Sequence, residues 1–155
     1  MFVLTSCDVE VVPAESDLSP RPLEANQADD ALSAIRIALP GQYRFTAGYS
    51  VPPPMSGKSA HFLRYDQAEK VDLRALAEMN VDREFGPVLQ AKCGSDLSRY
   101  SLGSAMGLHC EGSMSLTVIR NDGLGAGDLV AAGSQAIVAP AGDDPRQIYI
   151  YSEGT

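Results

Sequence analysis

From residue 88 onward the chain is cut into short apolar runs by turn residues, and no other feature restricts its fold as much. The runs fall at 88–92, 107–111, 116–120, 129–132, 136–139 and 147–151. Each is long enough for a strand and short for a helix that must bury a stripe of its own. Asn121-Asp122-Gly123, Gly133-Ser134 and Gly142-Asp143-Asp144-Pro145 separate several of them with residue types that favour tight turns. Strands joined by short turns pair antiparallel. The second half therefore reads as an antiparallel meander.

The first half adds helices. Leu32, Ile35 and Leu39 recur at helical spacing, with Ala28 and Ala31 near the same face, which predicts a helix over 27–39. Asp29 and Asp30 fall in its expected first turn, where carboxylates favour the helix dipole, and Pro40-Gly41 stops it. Tyr43, Phe45 and Ala47 alternate with Arg44 and Thr46, a half-buried strand. Residues 51–59 hold three consecutive prolines, which exclude a central strand and predict a long, partly stiff loop carrying an exposed Met55. Gly57-Lys58-Ser59 echoes the end of a phosphate loop, but the first glycine of that motif falls at Pro52, so the match is chance. A strand follows at 61–65. Residues 72–79 suit a short helix, with Leu73, Leu76 and Met79 on one side and a strand as the alternative.

The expected fold class is α+β, mainly one antiparallel sheet with one or two helices packed on it. At 155 residues the chain is one domain with one real core. Residues 8–26 are rich in Pro, Ser, Asp and Glu, with Pro13, Pro20 and Pro22 stiffening a tether. The boundary is placed there: 1–26 as the start and tether, 27–155 as the globular domain.

Charge excludes some partners. A net charge of −8 argues against nucleic acid, whose phosphates require a basic face, and against adsorption to anionic lipid. It suits a cationic protein surface, which complementary charge would steer into contact. The chain has no Trp, so an aromatic platform for sugars is not expected. No run approaches the roughly 18 apolar residues that span a bilayer.

Candidate chemistry is sparse. His61 and His109 are the two histidines, and neither lies in a clustered metal-binding motif. A serine nucleophile would want GxSxG or SxxK; Gly103-Ser104-Ala105-Met106-Gly107 places its serine one position early. Residues 122–128 read DGLGAGD, but lack the alternating oxygen ligands and terminal Glu of a calcium loop. No metal, no cofactor and no enzymatic activity are expected. The candidate binding residues lie on loops, where recognition usually sits. They are Met55 as an apolar anchor and Asp122, Asp128, Asp143 and Asp144 as acidic contacts.

Leu4-Thr5-Ser6-Cys7 resembles the lipobox of bacterial lipoproteins. In that family the cysteine becomes the first residue after cleavage and its thiol carries diacylglycerol. The resemblance implies a lipid anchor on Cys7, and Asp8 after it implies retention at the inner membrane, facing the periplasm. A full export signal needs a basic region and an apolar core of about 7–15 residues. The lipoprotein reading therefore expects further residues before Met1. With Cys7 assigned to lipid, Cys93 and Cys110 remain as an even pair, which suits a disulfide in an oxidising compartment. A bridge closing that loop would contribute about 3 kcal/mol. Two reduced cysteines in a core are the alternative.

A small, acidic, disulfide-stapled, lipid-anchored domain is similar in profile to periplasmic immunity proteins, which protect against wall-degrading effectors such as those of type VI secretion. That profile implies a protein partner, a secreted hydrolase whose active-site groove is occluded. A structural or assembly lipoprotein of an envelope complex is the alternative.

Overall fold

Gln135–Pro140 reads QAIVAP and Gln147–Ser152 reads QIYIYS, and nearly every residue of both is buried. Strands apolar on both sides must be covered on both faces, which places them at the centre of a sheet. The computed structural model describes residues 18–53, 55–93, 102–110, 114–121 and 134–154. Its strands are β1 (Arg21–Pro22), β2 (Arg44–Val51), β3 (Ala60–Asp66), β4 (Leu89–Lys92), β5 (Ser115–Arg120), β6 (Gln135–Pro140) and β7 (Gln147–Ser152). They form one seven-stranded sheet in the order β1-β2-β3-β7-β6-β5-β4. All neighbours run antiparallel. Two meanders are thus joined edge to edge, β3 against β7. The chain is α+β, and its second half is the antiparallel meander that the turn spacing implied.

The first face is covered by α1 (Ala25–Ile35) and α2 (Leu73–Met79). Cross-strand register aligns Ile119, Ile137, Ile150 and Leu63 in one fully buried row. Gly48 closes that row on β2, where a Cβ would stand 2.9 Å from Leu63 Cδ2. Ala28 and Ala31 let α1 lie close on this surface. The second face buries Phe62, Val118, Val138, Tyr149 and Tyr151 beneath Met106 and Leu108. These two follow a short helix, α3 (Leu102–Ala105). Each fully buried large side chain contributes roughly 1.5–3 kcal/mol of hydrophobic stabilisation.

Several elements differ from the sequence expectation. Helix α1 starts at Ala25 and ends at Ile35, where 27–39 was expected. Arg36 adopts the left-handed conformation at φ 59°, and the Ile37 amide reaches back to Leu32 O at 3.2 Å. The chain leaves the helix so that Ile37 can enter the core, well before Pro40. Asp29 and Asp30 consequently sit in the second turn. The start is closed instead by the Glu24 amide donating to Gln27 Oε1 at 2.8 Å. Residues 107–110 are loop, not strand. Gly107 takes φ +88°, its amide donates to Ser104 O at 3.0 Å, and the Leu108 amide donates to Gly103 O at 2.7 Å. These bonds close α3, which the apolar pattern did not reveal. The expected strand at 129–132 lies outside the described residues. Arg21–Pro22 pairs with Ser50 and Tyr49, so the sheet begins within the proline-rich stretch expected to be tether.

Cys93, at the end of β4, is bonded to Cys110, with Cα atoms 5.3 Å apart and a sequence separation of 17. The bridge ties the segment after α3 to the outer strand of the sheet.

Candidate functional site

A groove of about 700 Å³ opens at one end of the sheet's first face. Four separated pieces of chain form it. Lys70 to Arg74 make one wall, Val88 stands at the mouth of β4, and Pro140, Gly142 and Pro145 make the other wall over Thr117 and Ala139. The β6–β7 turn is held to the first wall by backbone bonds: the Val71 amide donates to Pro145 O at 2.7 Å and the Gln67 amide to Arg146 O at 2.9 Å. Asp72 caps α2, its Oδ1 accepting from the Arg74 and Ala75 amides at 3.0 and 3.1 Å. At the far end of α2, Asn80 locks the helix to the irregular segment after α1. Its Oδ1 accepts from the Ala38 amide at 2.7 Å, and its Nδ2 donates to Ala38 O and Leu76 O, both at 2.9 Å. Gln135 completes the frame: Nε2 donates to Ile35 O at 2.7 Å, and Oε1 accepts from Arg83 and Asn121.

The groove's charge is distinct from the whole molecule's. Lys70 and Arg74 are exposed, and among the described residues neither has an ion-pair partner. The Asp72 carboxylate between them is engaged by helix amides. Apart from Thr117 and Gly142, the rest of the lining is apolar: Val71, Leu73, Val88, Ala139, Pro140 and Pro145. Val88 is 41% exposed.

The sequence candidates are scattered. Met55 is 95% exposed in the β2–β3 loop. Asp143 and Asp144 are exposed in the β6–β7 turn beside the groove, and Asp144 is paired with Arg146 at 2.7 Å. These two places are at opposite ends of β3, since His61 pairs with Ser152 while Asp66 pairs with Gln147. Five strand steps at about 3.3 Å separate them by roughly 17 Å. Met55 therefore does not share a patch with Asp143 and Asp144. Cys7, Asp122 and Asp128 lie outside the described residues. The groove residues Lys70, Arg74 and Val88 were missed because no local pattern links the two segments that carry them.

A second polar arrangement is confined to the end near Met55. Register places Ser50, His61 and Ser152 on neighbouring strands in one row. No hydrogen bond joins His61 to either serine, and its buried Nδ1 has no partner among the described residues. Burial holds the imidazole below its ordinary value of 6.5. As placed, the row lacks the nucleophile–base contact that acyl transfer needs. Arg64 is structural: it grips Asp66 through Nε and Nη2 at 2.8 and 2.9 Å and donates from Nη1 to Met106 O at 2.7 Å, fastening the second-face cover. Among the described residues no group of three or more His, Cys, Asp or Glu is placed to hold a metal.

Comparison with known protein families, with curated proteins and with solved structures finds no match to this chain. The site is therefore read from its own geometry.

Proposed function

We propose that this protein is a periplasm-facing, membrane-anchored binding module that inhibits a secreted cell-wall hydrolase, in the manner of an immunity protein. The observation that carries the reading is the groove end of the sheet. An apolar recess with a charged rim, set on elements braced by Asn80 and Gln135, is the anatomy of a recognition surface. The acidic turn at Asp143 and Asp144 stands beside it and suits the cationic rim of a partner's substrate cleft. The lipobox-like Leu4-Thr5-Ser6-Cys7 and the Cys93–Cys110 bridge support placement on the oxidising side of an envelope.

The test is capture from an envelope extract of the source cells, with the full chain as bait under non-reducing conditions. One stoichiometric partner with wall-hydrolase activity, silenced in the complex, is the expected result. Recovery of a multi-subunit envelope complex would replace this reading with an assembly role.

A further inference from the structure

We infer that the groove beside α2 receives an extended, acidic-apolar peptide segment of the partner protein, with an apolar side chain on the floor and carboxylates against Lys70 and Arg74. The inference rests on the binding-module reading and names the chemistry of its partner.

Charge complementarity carries it. In a chain of net charge −8, the groove wall concentrates two cations without ion-pair partners among the described residues. Of the nearby acids, Asp72 accepts from the amides of α2, Asp144 is paired with Arg146, and Asp143 is exposed on the turn outside the groove lining. Carboxylates entering the groove therefore meet unsatisfied positive charge, whereas cations meet Lys70 and Arg74 as like charge. The floor of Thr117, Ala139 and Leu73 with the exposed Val88 gives an apolar side chain a place to leave water. The same groove opens beside β4, an outer strand of the sheet among the described residues. Outer strands pair readily with an extended chain, which fits a peptide better than a compact surface loop.

The probe is a fluorescein-labelled peptide of alternating leucine and glutamate, read by fluorescence anisotropy against the full-length protein. Controls are a leucine–lysine peptide and a serine–glutamate peptide of equal length. Saturable binding of the leucine–glutamate peptide alone is expected. Lys70→Glu with Arg74→Glu should weaken it at least roughly tenfold, and Val88→Asp by a similar factor. Met55→Ser, at the opposite end of the sheet, should leave it unchanged. All four substitutions are at exposed positions, and circular dichroism confirms that each variant is folded. Absent saturable binding, equal binding of the lysine peptide, or undiminished binding by the charge-reversed variant each overturns the assignment. Envelope capture separates the two proposals. A hydrolase still captured by the charge-reversed variant sinks the groove assignment alone. Specific peptide binding with no hydrolase captured sinks the inhibitor reading alone.

Discussion

Asn80 shows how much one buried amide can decide. Its side chain satisfies both backbone groups of Ala38 and the Leu76 carbonyl, so it joins α2 to the chain leaving α1. Asn80→Ala removes the part-buried bonds to both backbone groups of Ala38, while the Leu76 carbonyl keeps the amide of residue 80, and should cost about 1–2 kcal/mol, read by urea denaturation. Titration gives two further residue-scale tests. Burial, with the charge of Asp29 adding to it, lifts the Tyr65 phenol from 10.0 to about 12. Its neutral form is favoured in the fold, so this stabilisation is complete below pH 10 and is lost as pH rises toward 12. Burial also raises Tyr43, Tyr149 and Tyr151. With no Trp to obscure the signal, absorbance at alkaline pH should show these tyrosines ionising late, and together with unfolding. His61 has the opposite sign. Its folded value lies below 6.5, so its neutral form stabilises the fold above pH 6.5, and that contribution falls away as the pH drops below it toward the folded value. In His61→Gln the slope of stability with pH should flatten across that window.

Of the two helices expected from sequence, α2 lies closer to its expected bounds of 72–79, where a strand was the alternative. Asp72 was expected near its start and is its cap; Asp72→Ala should cost about 1 kcal/mol in thermal or urea unfolding. Leu73 and Leu76 are buried as the spacing implied, but Met79 is exposed, because the sheet covers only part of so short a helix. Helix α1 was recognisable from its Ala and Ile spacing, yet its end was not. Pro40 is an emphatic stop, but Ile37 gains more by entering the core than by extending the helix. The segment over 102–110 was illegible. Its apolar residues suit a strand equally well, and Gly107 with Arg64 on Met106 O resolves the ambiguity only through a distant strand. The bridge from Cys93 to Cys110 holds this segment to β4. Replacing both cysteines by serine should lower stability by about 3 kcal/mol, measured by denaturation with and without reductant.

For the whole molecule, the two ends of the sheet are different surfaces. Met55 marks one, and the groove with Asp143 and Asp144 marks the other. If the groove end binds the hydrolase, Met55→Ser should leave affinity unchanged, while Val88→Asp should weaken capture in a quantitative pull-down. Much of the architecture was readable beforehand. Alternation, turn residues and short apolar runs act through neighbours in the chain, so the sequence alone determined the α+β class, the helix over α1, and β5, β6 and β7 nearly to the residue. Tertiary structure alone decided the rest. That β3 pairs with β7, that the loop candidates fall at opposite ends, and that Lys70, Arg74 and Val88 share a groove all depend on contacts between residues far apart in sequence. Such contacts are set by which apolar faces can be buried together, and no local run of residues records that choice.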